Sequence, residues 1–244
     1  MKIYVLSTPQ ELGKKAADCA AAYIRNAIAA SNKARIVLST GASQFSTLEA
    51  LVKMDIDWSK VEAFHLDEYI GLDENHPASF VRYLKERFIA KIPPLKAFHF
   101  VDPGTGVDET IRKLTAEINE EPVDLGLIGI GENAHIAFND PPAVFQEEAS
   151  FKIVRLDEAC RRQQLGEGWF KSPDDVPREA VSMTIPGIMK CKAIISAVPF
   201  AVKAEAVFKT LSSREITPDI PATILKTHPD FHLFLDKDSA SGTV

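Results

Sequence analysis

One segment of the chain carries a histidine, an asparagine and an aspartate just beyond an apolar run. The run DLGLIGI leads into GENAHIAFNDPP, which contains Asn133, His135 and Asp140. An imidazole beside a carboxylate can move protons near neutral pH, because the carboxylate fixes the tautomer of the ring. A histidine here can equally be a turn residue with satisfied hydrogen bonds, so the segment alone leaves both interpretations open.

A second pair of candidate groups, Asp67 and Glu68, follows the apolar run KVEAFHL. A carboxylate at the end of a buried strand is partly desolvated, which raises its pKa toward the range useful to a general base. One member of such a pair is commonly a helix cap or a solvated charge. His65 and Asp67 also form an HxD sequence, but no further ligand cluster has the spacing of a zinc site, so no metal is expected.

The segment STGAS, which follows the run ARIVLS, has the residue types of an anion-binding turn. Gly41 lets the backbone approach a ligand closely, and N–H groups at the start of the following helix point toward it. Ser39, Thr40 and Ser43 add hydroxyl donors. The segment matches neither GxxxxGK[ST] nor GxGxxG, which favours a small phosphate ester over a nucleotide. An ordinary strand-to-helix turn with Ser43 as N-cap has the same sequence pattern.

The chain is acidic, with a formal net charge of −6 at pH 7. This charge argues against a general affinity for nucleic acid or anionic membrane surfaces, so a phosphate ligand needs cations at its own site. Lys203, at the start of a helix after KAIISAV, is one candidate, although a lone lysine there is normally solvated. Arg161 and Arg162 in DEACRRQQ are the others, since a guanidinium binds phosphate in a bidentate manner.

Composition indicates a cytoplasmic protein with reduced thiols. The three cysteines (Cys19, Cys160 and Cys191) are odd in number and have no CxxC spacing. No stretch resembles a signal peptide, and none approaches the roughly 20 apolar residues that cross a bilayer. Hydrophobic residues make up 45% of the chain and charged residues 25%, which allows a sizeable buried core. We therefore expect no membrane partner.

These candidate residues are distributed over alternating strand and helix patterns. Short apolar runs are each followed by a segment with helical spacing of apolar residues. The first helix has a clear beginning, with Thr8 as N-cap, Pro9 at the first position and Glu11 completing a capping box. The alternation predicts an α/β fold with a mostly parallel sheet covered on both faces. No linker or repeat divides the chain, so residues 1–244 are expected to form a single domain.

The polar groups follow the carboxyl ends of four different strands. In an open parallel sheet the ligand crevice lies beyond those ends, where the strand order switches direction. The sequence therefore predicts one shared site, to which the following segments contribute: Thr40 to Ser43, Asp67 with Glu68, Gly131 to Asp140, and the helix that carries Lys203.

Three motifs in order resemble a known family. FHLDEYIGLDENHPASF and GIGENAHIAFNDPP strongly resemble the glucosamine-6-phosphate deaminase (isomerase) family, and LSTGASQFSTLEAL resembles its phosphate loop. The similarity runs over nearly the whole chain and implies a Rossmann-like three-layer α/β/α sandwich. The related 6-phosphogluconolactonases share the fold and the glycine-rich turn. They typically carry a DER motif where this chain has Asp67, Glu68 and Tyr69, which favours the deaminase.

The resemblance also implies roles for individual residues. Asp67 is the implied base at C2 of the sugar, and His135 the implied ring-opening residue, assisted by Asp140 and Asn133. Glu68 and Gly131 are expected as further substrate contacts. The implied phosphate ligands are Thr40, Gly41, Ala42, Ser43, Lys203, and Arg162 with adjacent Arg161 as the alternative.

Two positions depart from the best-known members of the family. Asn133 stands where those have an aspartate, and Asp140 where they have a glutamate. Asparagine can orient an imidazole by hydrogen bonding but cannot stabilise imidazolium by charge, and aspartate is one methylene shorter than glutamate. These departures allow two alternatives: ring opening is slower or differently organised, or the substrate is another amino sugar.

The resemblance implies that glucosamine 6-phosphate and water are converted to fructose 6-phosphate and ammonia, without a cofactor. Galactosamine 6-phosphate is an alternative substrate. Two other functions stay open, namely a 6-phosphogluconolactonase-like hydrolase and a non-catalytic sugar-phosphate sensor. The expected partner is a small sugar phosphate, and a homo-oligomer is one assembly that the resemblance allows.

Overall fold

The computed structural model describes residues 1–102, 106–156, 158–166 and 168–243. The strands are β1 (Lys2–Leu6), β2 (Ala34–Leu38), β3 (Val61–His65), β4 (Asp67–Tyr69), β5 (Ala97–His99), β6 (Leu125–Leu127), β7 (Phe151–Arg155), β8 (Glu179–Met183), β9 (Ala193–Val198) and β10 (Phe231–Asp236). The α-helices are α1 (Pro9–Ser31), α2 (Phe45–Leu51), α3 (Phe80–Arg87), α4 (Val107–Asn119), α5 (Glu158–Gly166), α6 (Ile185–Met189) and α7 (Ala204–Ser212).

Two sheets organise the described part of the chain. The larger has seven strands in the order β1-β10-β9-β6-β2-β3-β5, and each neighbouring pair is parallel. The smaller contains β4, β8 and β7, which pair in antiparallel fashion. The small sheet brings β4, directly after β3, to the edge where the strands of the large sheet end.

Helices cover both faces of the large sheet, because successive side chains of a buried strand point to opposite sides. In β2, Ile36 and Leu38 pack into a core with residues of α1, α2 and α3. Val37, between them, belongs to the opposite core, which contains residues of α4, α6 and α7. The result is a three-layer α/β/α sandwich, as the resemblance implies.

Helix α1 begins where its capping residues require. The hydroxyl of Thr8 accepts a hydrogen bond from the backbone N–H of Glu11 at 3.2 Å, and Pro9 is the first helical residue. The carboxylate of Glu11 accepts from the N–H of Ser7 at 3.0 Å, one residue before the position that a capping box uses. The helix carries the chain from β1, at one edge of the sheet, to β2, which lies inside the sheet between β6 and β3.

The ends of β2 and β6 form the switch point of the sheet. These two strands are neighbours, but the chain leaves β2 toward β3 on one side and approaches β9 from β6 on the other. Diverging connections leave a crevice between adjacent strand ends. Residues 39–43 follow β2 and residues 128–142 follow β6, so both glycine-containing segments lie at this crevice.

The sequence prediction of a mostly parallel sheet is confirmed, whereas the smaller sheet is not anticipated. The run FKIVRL belongs to β7 of the small sheet, and its partner β8 lies in a segment without an assigned strand. The three cysteines form no disulfide. Within the described ranges, no helix has the length and apolar character needed to cross a membrane.

Candidate active site

A single cleft at the switch point brings together most of the residues singled out in the sequence. The space between its walls, open solvent included, is about 830 Å³. Four segments contribute polar groups to its wall. These groups belong to Ser39, Thr40, Gly41, Ala42 and Ser43 after β2, Asp67 in β4, Gly129, Gly131, Glu132 and His135 after β6, and Lys203 after β9.

The turn after β2 has the geometry of an anion-binding loop. Gly41 has φ +96°, a conformation that side chains other than glycine rarely adopt, and a β-carbon there would meet only open space. Residues 42–44 then form a single 3-10 turn that leads into α2. The carbonyl of Gly41 accepts from the N–H of Gln44 and from the hydroxyl of Tyr83, each at 3.0 Å. The turn is therefore held from outside and open toward the cleft.

Asp67 is a buried carboxyl group in the wall of the cleft. Asp67 is 6% exposed. Burial raises the pKa of its carboxyl group to about 8, and the neighbouring charge of Glu68 adds to this rise. Burial disfavours the charged form, so the carboxylate is a stronger base than a solvated aspartate once it is ionised. A pKa of this size suits a group that must both take and return a proton.

Glu68, predicted as a substrate contact, is not among the residues that line the cleft. Alternate side chains of a strand point to opposite faces, and Glu68 points away from the face of Asp67. Its carboxylate accepts hydrogen bonds from the backbone N–H groups of Tyr69 and Val81, each at 2.8 Å, and from the hydroxyl of Ser79 at 3.0 Å. Glu68 thus binds the beginning of α3, although burial still raises its pKa to about 7.

His135 and Asp140 form the imidazole and carboxylate pair that the sequence indicates. Nδ1 of His135 lies 3.0 Å from Oδ1 of Asp140, although this oxygen lies off the direction of a good hydrogen bond from the ring. Burial alone would raise the pKa of Asp140, but contacts with His135, Asn133 and Cys160 lower it to about 2. Asp140 is therefore ionised throughout the neutral range and favours a proton on Nδ1.

Asn133 orients the carboxylate and the backbone, not the imidazole ring. Its amide nitrogen donates to Oδ1 of Asp140 at 2.9 Å, and its carbonyl accepts from the backbone N–H of His135 at 3.1 Å. The sequence suggests that Asn133 helps to orient His135, and the structure places its hydrogen bonds on Asp140 and on the backbone of His135. An amide can donate to the carboxylate where a second carboxylate would repel it, because the amide carries N–H groups and no charge.

The turn that carries His135 requires a glycine at position 131. A β-carbon on Gly131 would lie 2.2 Å from Cε1 and Nε2 of His135, so the ring lies directly over the glycine. Ala134 and Ala137, on either side of the histidine, have φ values of +67° and +50°. Such left-handed alanines are uncommon and cluster at functional sites, where surrounding structure maintains them.

The structure does not bring either predicted arginine to the cleft. Arg161 donates from Nε to the carbonyl of Val176 at 3.2 Å and from Nη2 to the carbonyl of Pro173. Arg162, one residue further around α5, points to solvent and pairs with Glu158 at 3.4 Å. Neither of these two predicted phosphate ligands therefore lines the cleft. Among the described residues of the cleft wall, Lys203 is the one lysine or arginine.

Helix α5 instead contributes Gln164, which sequence reasoning missed. Gln164 is 6% exposed, lines the cleft, and accepts a hydrogen bond from the hydroxyl of Tyr69 at 2.5 Å. The aromatic rings of Phe80 and Phe138, which stack at 6.0 Å, form the apolar part of the same wall. A neutral amide in a helix pattern gives no signal of its own, so only the fold reveals this contact.

No metal centre is formed by the described residues. Within them, no three histidine, cysteine, aspartate or glutamate side chains are arranged to hold an ion. His65, the first residue of the HxD sequence, is fully buried, and this burial lowers its pKa to about 3. A histidine in so apolar an environment is neutral and packs as part of the core.

The chain is similar in sequence to characterised enzymes along most of its length. A profile of the family described as glucosamine-6-phosphate isomerases/6-phosphogluconolactonase matches residues 7–233. The glucosamine-6-phosphate deaminase of Thermoanaerobacter pseudethanolicus is 34% identical over 248 aligned positions, covering 99% of this chain and 94% of that protein. The glucosamine-6-phosphate deaminase of Oenococcus oeni is 35% identical over 204 positions, covering 84% of each.

Solved structures share the same fold. A monomeric glucosamine-6-phosphate deaminase superimposes with a TM-score of 0.89 at 29% identity, covering 99% of both chains. A 6-phosphogluconolactonase from Thermotoga maritima superimposes with a TM-score of 0.79 at 17% identity, covering 97% of this chain and 99% of the other. The second likeness concerns the fold alone.

Proposed function

The chain belongs to the glucosamine-6-phosphate isomerase/6-phosphogluconolactonase family, and on that premise we propose that it is an isomerising deaminase. It converts glucosamine 6-phosphate and water into fructose 6-phosphate and ammonia. The similarity to glucosamine-6-phosphate deaminases over nearly the whole chain supports this activity. The observation that carries the proposal is the cleft in which Asp67, His135 and an anion-binding turn face the same space.

In the first step His135 opens the sugar ring. Its imidazole moves a proton from the anomeric hydroxyl to the ring oxygen, which yields the open-chain aldehyde. The carboxylate of Asp140, 3.0 Å from Nδ1, favours the tautomer in which Nδ1 carries the proton, so that Nε2 faces the sugar as an acceptor. Asn133 holds Asp140 in place by its hydrogen bond of 2.9 Å.

In the second step Asp67 moves a proton between two carbons. The ionised carboxylate removes the proton from C2 while O1 takes up a proton from solvent, giving an enolamine. The same group then returns a proton to C1, and the nitrogen gives up one proton to solvent. The C2 imine that results adds water, and ammonia leaves to give the ketone of fructose 6-phosphate. The raised pKa of Asp67, about 8, lies near neutral pH. A group with such a pKa can both accept and release a proton, which favours transfer in both directions.

The phosphate provides binding energy away from the reacting carbons. The turn at residues 40–43 and Lys203 hold the dianion at one end of the cleft. Binding at that end orients C1 and C2 at the other, which converts binding energy into correct placement of the reacting groups. The neutral amide of Gln164, from α5, also lines the cleft and is suited to a sugar hydroxyl.

A direct comparison of two substrates tests the proposal. The protein is incubated with glucosamine 6-phosphate and, separately, with 6-phosphogluconolactone, and the release of ammonia and the loss of lactone are measured. Ammonia release with a slow, background rate of lactone loss supports the deaminase. Rapid lactone loss without ammonia supports the lactonase, whereas binding of fructose 6-phosphate without turnover of either compound supports a sensor.

A panel of hexosamine phosphates decides the remaining questions about the substrate. Galactosamine 6-phosphate stays an alternative substrate. It differs from glucosamine 6-phosphate only at C4, which neither carries the phosphate nor takes part in the reaction. The relative kcat/KM for the two epimers is the measure of specificity. A homo-oligomer also stays a prediction, which sedimentation of the purified protein tests.

A further inference from the structure

Tyr83 of α3 is bonded to the anion-binding turn from outside the cleft. Its hydroxyl donates to the carbonyl of Gly41 at 3.0 Å, and the N–H of Gln44 donates to the same oxygen at 3.0 Å. A peptide unit is planar and trans, so the direction of the Gly41 carbonyl fixes the direction of the next N–H, that of Ala42. The two donors therefore set the orientation of an N–H group in the part of the turn that lines the cleft.

The hydroxyl of Tyr83 is itself held in one place. The ring stacks on Phe45, the first residue of α2, with ring centroids 5.6 Å apart. The guanidinium of Arg87 lies 3.8 Å from the centroid of the Phe45 ring on α2. Burial raises the pKa of the Tyr83 hydroxyl, so the group is a neutral donor near neutral pH. The contact is therefore a fixed hydrogen bond and not a titrating one.

The beginning of the same helix is bonded to the strand that carries Asp67. The hydroxyl of Ser79 caps α3 by accepting from the N–H of Arg82 at 3.2 Å. The carboxylate of Glu68 accepts from Ser79 and from the N–H of Val81. The start of α3 is therefore hydrogen-bonded to Glu68, which is the next residue after Asp67 in β4.

We infer that α3 is a positioning element that fixes the separation between the anion-binding turn and Asp67, with Tyr83 as a positioning residue at the turn. Helix α3 has eight residues and is about 12 Å long. A rigid helix bonded at both places keeps the phosphate and C2 of a hexose phosphate at one distance from their partners. Tyr83 does not face the reacting carbons, so its contribution is to binding and not to proton transfer. This inference rests on the proposed function for its kinetic part only.

The substitution Tyr83→Phe tests the inference, because it removes the hydroxyl and retains the ring that stacks on Phe45. We expect KM for glucosamine 6-phosphate and Kd for fructose 6-phosphate, measured by calorimetry, each to rise roughly two- to tenfold, the contribution of one hydrogen bond. The value of kcat is expected to stay within about twofold. Binding of inorganic phosphate is expected to weaken by the same factor, because the effect acts on the turn.

The matched control is Tyr23→Phe, which removes a tyrosine hydroxyl that bonds Asp230 and His232 far from the cleft wall. This variant is expected to bind fructose 6-phosphate as the unaltered protein does. Unchanged Kd values in folded Tyr83→Phe protein, or a loss confined to kcat, would overturn the inference. If the unaltered protein releases no ammonia but Tyr83→Phe still weakens phosphate binding, the proposed function fails and the positioning role stands.

Discussion

The imidazole of His135 lies so close over Gly131 that a β-carbon on residue 131 would come within 2.2 Å of Nε2. The ring can therefore occupy this position only because residue 131 is a glycine and has no β-carbon. Since the backbone N–H of Gly131 also donates to the carbonyl of His135 at 2.9 Å, the turn and the ring are fixed together.

The substitution Gly131→Ala is expected to displace the ring of His135 and lower kcat/KM by about 10²-fold, since a misplacement of about 1 Å at a reacting group costs that much. The matched control is Gly129→Ala, whose β-carbon would lie 3.5 Å from the amide nitrogen of Gln44, an ordinary contact. The control is expected to keep most of its activity. Activity of Gly131→Ala close to that of the unaltered protein would show that the ring placement is not needed.

The substitution Asp67→Asn is expected to lower kcat by roughly 10²–10⁴-fold, the usual contribution of general acid–base catalysis. KM is expected to change little, because the phosphate contacts are retained. Steady-state ammonia release gives both constants, and calorimetry with fructose 6-phosphate verifies that the variant still binds. Turnover close to that of the unaltered enzyme would remove Asp67 from the role of base.

The pH profile of kcat/KM is expected to rise up to about pH 8, because Asp67 acts in its ionised form and burial raises its pKa to about 8. Glu68, the like charge beside it, contributes to this rise. The substitution Glu68→Gln removes that charge, so the rising limb is expected to move to lower pH. A limb that stays in place, or moves to higher pH, would contradict the assignment.

Thermal stability is expected to depend on pH through the same carboxyl group. The folded pKa of Asp67, about 8, lies above its ordinary value of 3.8, so the folded state binds more protons than the unfolded state between these values. The free energy of unfolding therefore falls as pH rises from about 4 to about 8. The variant Asp67→Asn lacks this loss, and its gain in Tm over the unaltered protein is expected to be larger at pH 8 than at pH 5. A gain independent of pH would be inconsistent with a raised pKa.

Substitution of two cationic residues tests which of them binds the phosphate, Lys203 as the structure indicates or Arg162 as the resemblance implies. Lys203 lines the cleft, whereas Arg162 pairs with Glu158 at the surface. We expect Lys203→Ala to raise KM roughly 10- to 100-fold, the contribution of a hydrogen bond to a charged group, and Arg162→Ala to leave KM unchanged. The reverse pattern of KM values would restore the arginine as a phosphate ligand.

The large sheet can be predicted from the sequence, because its strands are buried on both faces and appear as continuous apolar runs. The small sheet cannot, since β4 has three residues and begins with two carboxylates, Asp67 and Glu68. Those residues lie in a strand only because β8 pairs with them from more than 100 positions away. A pairing so distant in sequence leaves no local pattern.

The candidate site divides in the same way. Gly41, Asp67 and His135 follow strand ends, and the carboxyl edge of a parallel sheet brings such residues together whatever their spacing. The direction of a side chain depends on tertiary contacts, which is why Glu68 binds α3 and Arg161 binds the carbonyls of Val176 and Pro173. Gln164 and Tyr83 were missed for the same reason, because each acts through a contact with a distant segment.

Proton exchange at C1 of fructose 6-phosphate reports the transfer assigned to Asp67 without depending on net turnover. Fructose 6-phosphate and ammonium are incubated with the protein in D2O, and the C1 signals are followed by proton NMR. The account predicts that the unaltered protein introduces deuterium at C1 and that Asp67→Asn, although it binds the sugar phosphate, does so at least about 10²-fold more slowly. Exchange at equal rates in the two proteins, or binding of fructose 6-phosphate by the unaltered protein with no exchange at any ammonium concentration, would contradict it.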